Sequence, residues 1–254
     1  MKLIKHIVVA GILLHSFLCL SQETSARFSI NIPTLRQEAT SVWRTINDIH
    51  FFEKQGYNVS LPKDDRLDGL IRKSKNGAFG NADYPLILEI LESGAYNKND
   101  YLAAIEKVQE QELLINSMIY RIDSLKNNWD FGFKMFDNYA VVFTLYGSGG
   151  SYNPETGTIT LFTTKKGDFK NYRNPAKTII HELVHTGIEA SIVKKYNLSH
   201  TLKERIVDKM VFILFGDLLP DYQIQNMGDT IIDGYLKNTT DLGNLDHILE
   251  ELTR

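Results

Sequence analysis

Cysteine is nearly missing from this chain of 254 residues, which holds only Cys19. One thiol cannot make an intramolecular disulfide, so stability has to come from a packed core and from any metal the chain binds. Blocks of single-sign charge are missing as well. The 28 basic and 31 acidic residues are interspersed and leave a net charge of -3, which gives no electrostatic footprint for nucleic acid. Long apolar runs are absent too: the run IVVAGILLHSFLCL has 14 residues, is interrupted by His15 and Ser16, and falls short of the roughly 20 residues that cross a bilayer. No internal repeat, low-complexity segment or clear linker divides the chain, and its 43% hydrophobic content is enough for a sizeable core.

That apolar run, preceded by Lys2 and Lys5 and followed by polar SQETS, is the pattern of a secretory signal peptide over residues 1–21. Small residues Cys19 and Ser21 at the -3 and -1 positions place the cleavage before Gln22. A lipoprotein reading through Cys19 fits less well, because Ser16-Phe17-Leu18 lacks the small residues expected before a lipidated cysteine. The expectation is a secreted or periplasmic protein with no stable membrane insertion after cleavage. Its mature chain would carry 26 basic and 31 acidic residues, a net charge of -5, and no cysteine. Cysteine nucleophiles and thiolate metal sites are thereby excluded.

Beyond the leader, the chain divides by pattern into a helical N-terminal region, 22–130, and a region 131–254 that carries the chemistry, the two expected to pack as one compact unit. Helical spacing appears over residues 35–55, 85–93 and 99–128, whereas 61–80, with LPKDD and KNGAFGN, reads as loop. His50, on the first helix, reads as a surface or core histidine rather than a ligand. Residues 131–147 are rich in aromatic and β-branched types and read as strand, and TGTITLFTT follows a glycine cluster. Asn153-Pro154-Glu155-Thr156-Gly157 reads as the turn of a hairpin. Helices resume near Pro175 and near 199, the latter capped by Ser199 or Thr201, and the tail from Leu219 reads as short helices. The fold class expected is α+β.

Within TIIHELVHTGIE, His181 and His185 stand four apart and so share one face of a helix. Two imidazoles so placed can bind one Zn²⁺, and Glu182, about 100° round the axis, lies where a general base for zinc-activated water belongs. A catalytic zinc site needs a third protein ligand. Glu204 follows His185 after 18 residues, enough to end one helix, turn and bring back another. Asp208 is one turn further on the same face, where its carboxylate would accept the free N–H of a zinc-bound histidine, His181 foremost.

His181-Glu182-Leu183-Val184-His185 followed by Glu204-Arg205-Ile206-Val207-Asp208 resembles the HExxH and E-x-x-x-D arrangement of the gluzincin metallopeptidases, such as thermolysin and aminopeptidase N. The resemblance covers roughly residues 140–210. It implies a zincin-like fold, with a small mixed sheet, an active-site helix and a second ligand-bearing helix, and a mononuclear zinc peptidase. His181, His185 and Glu204 would be ligands to one Zn²⁺ per chain, Glu182 the base and Asp208 the residue behind the ligands. Peptides or proteins would be the substrates, cleaved internally, since the exopeptidase signature G-x-M-E-N is absent.

Glu189 and His200 are the rival third ligands. Glu189 would string three ligands along one helix at i, i+4 and i+8, which converge poorly. His200 does not fit the metzincin spacing, because Gly187 comes two residues after His185 and no histidine follows in register. The resemblance also implies an edge strand that pairs with extended substrate. Val141–Gly150 is the segment expected there, with Gly147, Gly149 and Gly150 allowing close approach; a plain glycine-rich hairpin is the alternative. For the oxyanion donor the tail offers Tyr222, Tyr235 and His247. The rival to a peptidase is a non-catalytic zinc-binding scaffold of the cell envelope.

Overall fold

The computed structural model describes residues 27–170, 173–225 and 228–253. The leader and its cleavage site before Gln22 lie outside the described residues. Among those described, no helix is long and apolar enough to cross a membrane.

The architecture is α+β, with one four-stranded mixed sheet among helices. Strands β1 (Phe28–Asn31), β2 (Tyr139–Thr144), β3 (Ser151–Asn153) and β4 (Thr158–Phe162) lie in the order β1-β2-β4-β3. β1 and β4 flank β2 in parallel, and β3 closes the sheet antiparallel to β4. Parallel neighbours require long crossovers, and here helices α1 (Leu35–Asn47), α2 (Ile49–Lys54), α3 (Arg66–Lys75), α4 (Tyr84–Ile90), α5 (Leu102–Gln109) and α6 (Glu112–Leu125) separate β1 from β2. After β4 come α7 (Pro175–Ile188), α8 (His200–Phe215), α9 (Thr239–Gly243) and α10 (Leu245–Leu252).

Local chemistry fixes the helix starts. Thr34 and Gln37 form a reciprocal capping box at α1, Asn174 caps α7 with Pro175 in its first turn, and the Ser199 hydroxyl accepts from the Leu202 amide at α8. Every one of the 14 residues of α7 is buried, the mark of a helix surrounded by other elements. It packs on β3 and β4, on α5 and α6, and on α8. One continuous hydrophobic cluster links Val42, Ile90 and Met118 of the N-terminal helices to Val141, Ile180 and Val211.

Several expectations change. Residues 61–80 contain α3, which buries Leu67 and Leu70 between loops. The helix expected over 35–55 breaks at Asp48, and that over 99–128 breaks between Gln109 and Glu112. Only Tyr139–Thr144 of residues 131–147 is strand, and it is central. The exposed edge next to the site therefore belongs to β3, not to Val141–Gly150. The hairpin itself is present, β3 pairing with β4 around 154–157.

Glu38 of α1 anchors the segment that leaves β2. It is fully buried, and its Oε1 accepts from the Leu145 amide at 2.8 Å and the Tyr101 hydroxyl at 2.7 Å. Burial raises its pKa above the ordinary 4.5, against the pull of these hydrogen bonds. A carboxyl with a raised folded-state pKa binds more protons folded than unfolded, so stability falls as pH rises from about 4.5 through the folded value. Glu38→Gln removes that loss. In urea unfolding between pH 4 and 8, the variant is expected to gain on the wild type as pH rises, with a constant difference below the unfolded pKa.

Candidate metal centre and its cleft

Helices α7 and α8 bring three donor atoms to one point. His181 Nε2 and His185 Nε2 are 3.1 Å apart, and Glu204 Oε2 is 3.4 Å from the first and 3.3 Å from the second. Donors about 2.0–2.1 Å from a tetrahedral ion sit roughly 3.3 Å from one another, so the three-way spacing matches that of ligands round a single small cation. His181 and His185 are buried, and Glu204 is nearly so. Among the described residues this is the group of histidine and acidic side chains placed to hold a metal ion.

The hydrogen bonds behind His181 set its tautomer. The Tyr222 hydroxyl donates its one proton to Asp208 Oδ1 at 2.6 Å and lies 3.0 Å from His181 Nδ1. Nδ1–H is therefore the donor to the tyrosine oxygen, and Nε2 faces the centre. Asp208, wholly buried, is 3.3 Å from Nδ1 and also accepts from the Gln225 amide at 2.8 Å.

Electrostatics show that the point attracts positive charge. Burial disfavours the His181 imidazolium, yet Asp208 and Glu204 outweigh it and hold that pKa up at about 10. Burial dominates at His185, pushing it down to about 4 and leaving a neutral ring with a free lone pair. Glu204 and Asp208 stay ionised against their burial because of the histidines beside them. A divalent cation among these donors would satisfy the charge that the His181 proton otherwise supplies.

Glu182 lies off this donor set. It is buried, and burial pushes its carboxyl up to about 7. Gly150 passes so close that a Cβ there would stand 2.5 Å from Glu182 Oε1 and 2.8 Å from the Thr178 methyl. The glycine thus serves an approach within the chain, where close approach by substrate had been expected. Gly187 has a comparable task, since a Cβ would fall 2.0 Å from the Phe133 ring that crosses α7 there.

The donors open into a cleft of about 690 Å³. One wall is formed by Gly147–Tyr152, and the other draws Arg44, Phe51 and Tyr57 from the N-terminal region, together with His200. A two-way backbone bridge between Ser60 and Gly147, at 2.8 and 2.9 Å, ties the walls at one end. The N-terminal half thus lines the site as well as completing the core, a role with no motif in the sequence.

The alternative ligands fall outside the donor set. Glu189, the first residue of a π-helical turn after α7, lines the cleft but accepts from the Tyr152 hydroxyl at 2.8 Å and is not one of the converging donors. His200 stands behind the glutamate, its Nδ1 3.7 Å from Glu204 Oε1, and meets the Tyr57 hydroxyl at 3.3 Å. His50 is on the surface against the Lys75 carbonyl. The three oxyanion candidates are misplaced for that role. Tyr222 is committed behind His181, Tyr235 is 43% exposed away from the cleft lining, and His247 is an exposed partner of Glu251 on α10. Sequence reasoning missed Tyr152, whose ring lies flat on His185 with centroids 4.9 Å apart and planes 2° from parallel.

Comparison of the chain with family models, with curated proteins and with solved structures finds no match in any of the three.

Proposed function

We propose that this protein is an exported zinc metallopeptidase with a zincin-like catalytic region of gluzincin type, acting as an endopeptidase. The observation that carries the reading is the convergence of His181, His185 and Glu204 at 3.1–3.4 Å, with the Glu182 carboxyl beside them in an open cleft. A closed structural site would present a fourth protein donor; here the described residues supply three. Export rests on the leader pattern in the sequence.

In this reading His181, His185 and Glu204 hold the ion, and Asp208 and Tyr222 fix the His181 ring. Bound zinc supplies a Lewis acid and a water of lowered pKa. Glu182 accepts a proton from the attacking water at its carboxylate and delivers it to the leaving amine. The short edge strand β3 offers backbone groups to an extended peptide, which would lie along the cleft.

The test is hydrolysis of an unfolded protein substrate by the chain from residue 22 onward. Activity is expected to vanish with a chelator and return with one equivalent of zinc. Activity indifferent to chelation would refute the metal-dependent reading.

A further inference from the structure

The three ligands are not held alike. A metal-binding histidine ordinarily gives its second ring N–H to a carboxylate, carbonyl or water, which fixes the ring. His181 does so through Tyr222 and Asp208. His185 does not: its Nδ1 is buried with no hydrogen-bond partner among the described residues. His181 meets that ring edge-on, and Tyr152 covers its face, stacked nearly parallel to it from the middle of β3.

The Tyr152 hydroxyl has partners of its own. That group donates to Glu189 Oε2 at 2.8 Å and accepts from Lys203 Nζ at 3.4 Å. Lys203 Nζ also lies 5.6 Å from the tyrosine ring centre and 3.4 Å from Glu204 Oε1. Glu204 thus has one oxygen, Oε1, nearest Lys203, with His200 Nδ1 at 3.7 Å, and the other, Oε2, turned to the two histidines.

We propose that Tyr152 and Lys203 are ligand-positioning residues, Tyr152 holding His185 by stacking in place of the missing hydrogen bond and Lys203 restricting Glu204 to a single donor oxygen. The brace joins the edge strand to two of the three ligands. It rests on the metal-site part of the function proposed above.

The two residues make separable claims. If the ring face orients His185, Phe at 152 keeps the function and Leu loses it. If Lys203 occupies Oε1, Met at 203 frees that oxygen to join the coordination shell. Outer partners of metal ligands are typically worth 10- to 100-fold in affinity.

The experiment is competition titration of zinc against a chromophoric chelator for wild type, Tyr152→Phe, Tyr152→Leu and Lys203→Met, with visible spectra of the cobalt(II)-loaded proteins and a thermal melt of each as a folding control. Tyr152→Leu is expected to bind zinc at least about 10-fold more weakly, and Tyr152→Phe to stay within a few-fold of wild type. Lys203→Met is expected to weaken the cobalt d–d absorption, as four-coordination gives way to five, a change that a merely structural role would not produce. Wild-type affinity in Tyr152→Leu, equal losses in the Phe and Leu variants, or an unchanged cobalt spectrum in Lys203→Met would overturn the corresponding claim while leaving the metal site standing. A wild type that binds no zinc would overturn both the brace and the site.

Discussion

Glu182→Gln is expected to lower peptide hydrolysis by at least about 10²- to 10⁴-fold, the range a positioned general base contributes, while leaving zinc content and thermal stability close to wild type. The variant keeps the shape of the side chain and removes only its ability to take a proton. None of the donors at the centre belongs to Glu182, so metal binding should persist. Burial already favours the uncharged carboxyl at position 182, so a neutral amide there adds no buried charge. Kinetics on one peptide with zinc quantified in the same samples checks both halves. Loss of zinc along with activity would mean that Glu182 contributes to the centre itself.

Gly150→Ala is expected to reduce kcat/KM by about 100-fold, the cost of misplacing a catalytic group by about 1 Å. The added methyl would meet Glu182 Oε1 at 2.5 Å and the Thr178 methyl at 2.8 Å, so the carboxyl must move. Gly150 does not adopt the left-handed backbone that strains other residues, so the effect falls on the neighbouring side chains. Zinc affinity should stay near wild type, because the atoms the methyl would meet first belong to Glu182 and Thr178 and not to the three donors. A variant with full activity would show that the Glu182 position is not critical to the chemistry.

These two positions also mark how far the sequence could be read. His181, Glu182 and His185 were legible because a helix converts a spacing of four into one face. Glu204 and Asp208 were legible by the same rule applied to a second helix, and the structure brings Glu204 within 3.4 Å of both histidines. The β3–β4 hairpin was legible from its turn residues. Apart from the meeting of the two helices, these depend on neighbours within a few positions along the chain.

What stayed hidden depends on distant contacts. Parallel pairing of β1 with β2 joins residues more than a hundred positions apart, and no local pattern announces it. α3 hid among charged and turn-forming residues, because Leu67, Leu70 and the partly buried Ile71 are the only apolar residues it packs on the core. Tyr152 looked like one aromatic residue in a hairpin; its role follows from where α7 passes beneath β3. The task of Tyr222 is equally hidden, since position beyond Glu204 does not say whether a hydroxyl points into the cleft or, as here, behind a ligand. The cleft wall from Phe51 and Tyr57 carries no signature at all.

The most direct test of the peptidase reading is a mass-spectrometric cleavage profile of a denatured-protein peptide library, comparing zinc-loaded wild type, residues 22–254, with zinc-loaded Glu182→Gln. New internal termini produced by the wild type alone are the expected result and would also reveal the residues preferred on either side of the cut. Zinc bound by both proteins with no difference between their profiles would contradict it, and would favour a zinc-binding scaffold of the cell envelope.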